Sequence, residues 1–309
     1  MTLFQLRQSV LLFITATIWG LTFVAQSVGM DSVGPYTFIA ARMVLGVIVL
    51  LPVILWKRRR LETTRPDEAL RLKSPGYLKT LCLGSLCCGL CLFGGSALQQ
   101  LGLVYDTEVG KAGFITALYI VLVPILSLFI GKRTGILVWA AVVTAIGGLW
   151  FLCVPADAGF TIRLGDLYTL SCALVFAFHI LVIAFFVNKV DGVELACGQF
   201  VVGTVFGTIA MILTETPTLA GLQGALIPIL WAGVMSNGVA YTLQIVGQRG
   251  MNETVASLIM SLESAIAVIA GWILLGEVLS ERELFGCCLM AGAVVLAQLP
   301  SPKFGKDKK

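Results

Sequence analysis

Charge is what this chain is shortest of. Asp, Glu, Lys and Arg make up only 12% of its 309 residues, against roughly 25% in a soluble domain, which excludes a water-soluble globular protein. Histidine occurs once, so a His-based metal cluster is excluded. No G-x-G-x-x-G, P-loop, G-x-S-x-G or H-E-x-x-H pattern occurs, which removes the common nucleotide-binding, hydrolase and metalloprotease readings. No cofactor is implied. A pump driven by ATP would need a nucleotide site, and the loops are too short to build one.

What is abundant is apolar sequence, 58% of the chain. A helix needs ~20 apolar residues to cross a ~30 Å hydrocarbon core. Such stretches fall at about 9–29, 35–56, 76–104, 108–130, 135–154, 164–187, 193–213, 224–247, 252–276 and 282–299. The expected fold is an all-α integral membrane protein of ten transmembrane helices. Nine cysteines, four of them between Cys82 and Cys91, read as small apolar packing residues, and the adjacent Cys287 and Cys288 likewise.

The chain also repeats itself. At a constant offset of 145, Leu98 pairs with Leu243, Gln99 with Gln244, Gly102 with Gly247, Glu108 with Glu253, Gly131 with Gly276 and Gly147 with Gly292. At an offset of 157, Ala16 pairs with Ala173 and Gly46 with Gly203. The expected units are residues 9–154 and 164–299, each of five spans, followed by a basic tail at 300–309. Because five is odd, two such units fused directly lie inverted relative to each other, a ground plan of secondary transporters.

Basic residues set the orientation, since short basic loops stay in the cytoplasm. With the N-terminus inside, Arg7, the basic run from Lys57 to Lys79, Lys132, Arg133, Lys189, Arg249 and four C-terminal lysines share the cytoplasmic face. Only Lys111, Arg163 and Arg282 fall outside. Both termini are therefore expected in the cytoplasm. The net charge of +4 records this topology and anchoring to anionic lipid, not nucleic acid.

Repeated glycines describe scaffold, since small residues let helices approach closely in lipid. Thr107–Glu108 and Asn252–Glu253 read as equivalent helix starts, each a capping residue followed by an acid. Polar residues that break the repeat carry more information. Glu263, opposite Leu118 in the repeat, lies ~16 Å beyond the cap at Asn252 at ~1.5 Å per residue, near mid-membrane. A carboxylate there costs several kcal/mol unless protonated, paired or wet, and marks a substrate or ion path; a hydrogen bond to a neighbouring helix is the alternative. His179 is a candidate proton-exchanging group or a satisfied interhelical partner. Arg42 would bind an anionic group or reach backbone carbonyls near the outer interface. Trp19, Gln99, Tyr119, Asn237, Tyr241 and Gln244 add hydrogen-bonding and stacking groups at cavity depth, suited to a small polar or amphipathic molecule.

Several of these residues sit in recognisable strings. Ile18–Trp19–Gly20–Leu21–Thr22–Phe23, Phe38–Ile39–Ala40–Ala41–Arg42, Gly110–Lys111–Ala112–Gly113–Phe114–Ile115–Thr116–Ala117–Leu118–Tyr119, and Ser261–Leu262–Glu263–Ser264 followed by Leu275–Gly276–Glu277 and Gly286 resemble the drug/metabolite transporter superfamily. The resemblance is to its ten-helix members with two EamA domains. It departs in having Ser264 where many relatives place proline after the membrane glutamate, so a proline-broken helix is not expected there. The first repeat has Lys132 where Glu277 stands in the second, which favours a structural role for Glu277.

The resemblance implies a secondary transporter of small organic metabolites, often an exporter of amino acids or related compounds, in a bacterial-type inner membrane. It implies alternating access about a central cavity, with Glu263 in substrate recognition or proton coupling. Ten spans suffice to enclose a cavity in one chain, which is compatible with a monomer. Two alternatives belong to other classes. An intramembrane enzyme would use Glu263 and His179 and form product in detergent; a lipid scramblase or channel would show neither saturation nor competition.

Overall fold

The computed structural model describes residues 2–105, 109–132, 134–154, 163–270, 272–273 and 280–299. The first three spans are Leu3–Met30, Pro35–Thr64 and Pro75–Val104. The fourth is two helices, Val109–Ala117 and Tyr119–Phe129. Ile136–Cys153, Leu164–Phe186 and Gly192–Thr214 follow as the fifth to seventh. The eighth runs from Leu226 to Gln248, and the ninth is again two helices, Glu253–Met260 and Leu262–Ala270. Nine spans among the described residues are long and apolar enough to cross a membrane. The expected tenth forms the helix Glu281–Gln298, whose first turn carries Glu281, Arg282 and Glu283. The expected cap at Thr107–Glu108, the loop residue Arg133, Glu277 and the tail 300–309 lie outside the described residues.

Local sequence explains where helices begin. Pro35 and Pro75 open spans two and three, where a missing N–H costs nothing. Asp191 and Asn252 cap the seventh and ninth by accepting from two backbone amides each, and Ser280 with Glu283 forms a capping box. The expected start at Asn252–Glu253 is thus observed. Gly131, at φ +77°, closes the fourth span with a left-handed residue as only glycine does without strain.

Radial polarity is reversed relative to a soluble protein. Phe13, Ile48, Phe185, Ile209 and Val295 face outwards, whereas Gln8, Arg42, Gln100, His179, Gln199, Asn237 and Glu263 are buried. Lipid outside and a polar interior require that arrangement.

The two halves meet through reciprocal contacts. A Cβ on Gly46 would press on Phe200, and one on Gly203 on Met43; Met43 and Phe200 are themselves equivalent at the offset of 157. Residue i touching j while j′ touches i′ is the mark of a two-fold axis. Spans two and seven cross at this point and run antiparallel. At one end Lys57 and Arg58 pair with Asp191 and Glu194, and at the other Glu215 accepts from the Tyr36 and Thr37 amides at 2.8 Å each. A two-fold that exchanges antiparallel helices lies in the membrane plane, so the halves are inverted. Span five packs on ten at the second such crossing, where Gly148 and Gly286 bring backbone against backbone. Of the repeated glycines, Gly102 and Gly247 face the neighbouring Thr169 and Leu12, while Gly147 and Gly292 have no neighbour within 4 Å of a Cβ. The seam lies one face away from them, at Gly148.

Glu215 was not singled out by sequence, because an acid at a helix end reads as a solvated surface group. In the fold it also accepts from the Thr37 hydroxyl at 2.6 Å, and it caps the second span in place of a local side chain, the N-cap being Gly34. Glu215→Ala is expected to cost about 1–2 kcal/mol, the worth of a helix cap, and to lower the thermal midpoint in detergent. Glu215→Gln, which keeps one acceptor, should lose less.

The cysteines are free. Cys88 and Cys91 have a C-x-x-C spacing, but they stand on one continuous helix with Cys88 fully buried. Among the described residues no three His, Cys, Asp or Glu side chains gather in a metal-binding group.

Candidate substrate cavity

Three breaks in helix regularity surround the centre of the protein. In the fourth span the helix is interrupted at Leu118, whose amide bonds the Ile115 carbonyl three residues back. Pro124 in the following helix removes a further backbone bond and kinks the chain. In the ninth span the interruption falls at Ser261 with no proline nearby. Here Ser257 and Ser261 donate their hydroxyls to the carbonyls of Thr254 and Leu258, each at 2.9 Å, and such local side-chain bonds bend helices. The eighth span carries a π-helix over Trp231–Tyr241, a rare form that is frequent at functional sites.

A cavity of about 60 Å³ lies between these breaks. Trp19 and Phe23 from span one, Gln99 from span three, and Thr116 and Tyr119 from span four line it. His179 and Phe176 come from span six, Tyr241 and Gln244 from span eight, and Met260 and Glu263 from span nine, and Gln26 of span one also lines it. Glu263 is 7% exposed and accepts from the Tyr119 hydroxyl at 3.2 Å, a bond that joins the two interrupted helices across the cavity. Trp19 stands with its ring centroid 4.8 Å from that of Tyr241, forming an aromatic wall. The Trp19 indole N–H and the Gln244 side-chain oxygen are buried without a protein partner, so the wall holds polar groups available to a ligand.

Seven of the nine residues expected at the site therefore share one cavity: Glu263, His179, Trp19, Tyr119, Gln99, Tyr241 and Gln244. Two do not line it. Asn237 donates from Nδ2 to the Arg42 carbonyl at 2.9 Å and so fastens span eight to span two; its position in the π-helix turns it to that neighbour. Arg42 is buried one layer behind the wall. It donates to the Ser96 hydroxyl at 2.9 Å and to Gln26 Oε1 at 3.4 Å, side-chain acceptors where backbone carbonyls were the expected alternative. His179 faces the cavity while its Nε2 is 2.9 Å from Gln199 Oε1, which gives it an interhelical partner as well. Gln26, Phe23, Thr116, Phe176 and Met260 join the lining without having been singled out. Their types are common in any apolar span, and only Gln26 carried a readable signal, as an amide near the end of an apolar span.

At the face carrying the N-terminus, the spans around the cavity are tied together. Gln8 donates to the Val246 and Arg249 carbonyls at 2.8 Å each, Arg249 to the Val187 carbonyl at 3.1 Å, and Lys132 pairs with Glu253. Glu253, the described member of the two repeat-related helix-start glutamates, is an acid in the first turn after its cap and the partner of Lys132.

A profile of the EamA-like transporter family matches residues 7–154 and 163–299. An uncharacterised transporter of Archaeoglobus fulgidus is 27% identical over 93% of this chain and 84% of its own length. The uncharacterised transporter YoaV of Bacillus subtilis is 21% identical over 90% and 92%. The threonine/homoserine exporter RhtA of Escherichia coli is 26% identical over 64% of this chain and 70% of its own. A crystal structure superposes with a TM-score of 0.77 at 16% identity, over 94% of this chain and 96% of the other, which establishes the fold alone.

Proposed function

Because the chain belongs to the EamA-like transporter family, we propose that it moves small organic metabolites, amino acids or related amines, out of the cell by alternating access about the central cavity. The family and the relatives are membrane transporters, not enzymes. The observation that carries it is Glu263, a buried carboxylate, single among the described residues of a cavity walled by Trp19, Tyr119, Tyr241, Phe23 and Phe176. An acid among aromatic faces is the environment that holds an ammonium group.

The interrupted fourth and ninth spans supply the moving parts. Each can pivot at its break without losing hydrogen bonds along a whole helix, and the Tyr119–Glu263 bond couples the two. Ties among Gln8, Arg249, Lys132 and Glu253 hold one face shut, so the opposite opening follows from breaking them. The cavity volume of about 60 Å³ is far below the roughly 300–1,000 Å³ of drug-sized pockets, and its expansion would accompany substrate entry. An inner membrane with both termini cytoplasmic accords with the distribution of basic residues.

Counterflow in proteoliposomes tests the reading. Vesicles preloaded with an unlabelled amino-acid mixture are expected to exchange labelled threonine or another single amino acid with saturation and mutual competition. Flux that rises linearly with concentration and admits every solute alike would sink the transporter mechanism in favour of a channel.

A further inference from the structure

Arg42 is 3% exposed, and among the described residues no carboxylate pairs with it; its Nε has no acceptor at all. An uncompensated buried guanidinium is costly, and the scaffold does not demand one. At the repeat-related position stands neutral Gln199, whose Oε1 lies 2.9 Å from His179 Nε2 across the equivalent helix pair and which brings no charge there. The charge in the first half therefore serves something other than packing.

What it touches indicates what that is. Arg42 only donates, so the atom of Gln26 that faces it is the amide oxygen, and Gln100 Nε2 donates to that same oxygen at 3.4 Å. Both partners fix the Gln26 amide in one orientation. Its NH2 group, which has no protein acceptor among the described residues, is left to the cavity that Gln26 lines. The cavity thus has an acceptor pole at Glu263 and a donor pole at Gln26, with a full positive charge directly behind the donor.

Resting on the transport reading above, we propose that the Arg42–Gln26 pair is the carboxylate-recognising pole of the cavity, so that the substrate is a zwitterion rather than a simple amine or cation. Its ammonium sits toward Glu263 and its carboxylate accepts from the Gln26 amide, with Arg42 acting as a positioning and charge-compensating residue through Gln26. Loss of a hydrogen bond to a charged group corresponds to a ~10- to 100-fold change in affinity.

The test compares threonine with 1-amino-2-propanol, which is threonine without its carboxylate, as competitors of labelled amino-acid counterflow in full-length protein. The native protein is expected to prefer threonine by at least about tenfold, and Arg42→Gln to erase most of that preference by weakening threonine alone. Gln26→Glu supplies the second variant. It would pair with and neutralise Arg42, leave the fold intact and leave the Glu263 charge uncompensated, so preference should swing to the amine. Equal or better competition by the amine in native protein, or an unchanged ratio in both variants, overturns the carboxylate pole while leaving transport standing. Saturable flux of neither compound nor of any amino acid overturns the pole and the transport reading together.

Discussion

Glu263→Gln is expected to abolish gradient-driven accumulation while leaving a folded protein. The substitution is isosteric, and the amide oxygen can still accept from the Tyr119 hydroxyl that now lies 3.2 Å from Glu263. What disappears is the only carboxylate that lines the cavity among the described residues. If Glu263 both binds the ammonium and exchanges a proton, uptake driven by an imposed pH gradient should fall by on the order of 10- to 100-fold, the worth of one charged hydrogen bond in a buried site. The measurement is accumulation in proteoliposomes with and without the gradient, alongside the thermal midpoint of each protein. Equal accumulation by both would remove Glu263 from coupling. A large drop in midpoint would instead assign it to holding the fourth and ninth spans together.

Gly20 is the second position where a small change should have a large consequence. A Cβ added there would lie 2.8 Å from the Glu263 carbonyl oxygen and 3.0 Å from the Ala267 amide nitrogen. Both are backbone atoms and cannot rotate aside. Gly20→Ala must push span one from span nine behind the cavity, at a cost of about 1–3 kcal/mol by analogy with overpacked cores. Because the shift acts on the backbone of Glu263 and on the neighbouring Trp19, transport should fall further than stability does. Gly147→Ala is the control, since a Cβ at Gly147 meets nothing within 4 Å. A Gly20→Ala protein with native counterflow and native midpoint would show that the two helices have slack at this crossing.

The Trp19–Gly20 string was readable in sequence as a motif, yet its reason was not. The tryptophan faces the cavity and the glycine lets its helix lie on the backbone of Glu263, two roles that adjacent residues take because successive positions on a helix point ~100° apart. Ser264, in place of the proline common in relatives, gave no reason to expect a proline-broken helix at Glu263, and there is none. The structure nevertheless interrupts the span three residues earlier, at Ser261, because serine hydroxyls compete for backbone carbonyls without any proline. Asn237 was readable as a polar residue within the eighth span, and it is buried there. Its azimuth was not legible, since a π-helical turn shifts the facing of every side chain relative to the 3.6-residue period.

Hydrophobic length alone determined that the chain is an all-α membrane protein, since lipid leaves a backbone no other way to satisfy its polar groups than helices or a closed barrel. The internal repeat and its odd number of spans determined the inversion, because that is a matter of counting crossings. Tertiary structure alone decided which polar residues face one another. Arg42 and Gln26 are on different helices, as are Tyr119 and Glu263 or Gln8 and Arg249, and no local pattern encodes the rotation of one helix against the next. That rotation is fixed by the glycine seams and the Glu215 cap, whose contacts join residues far apart in the chain.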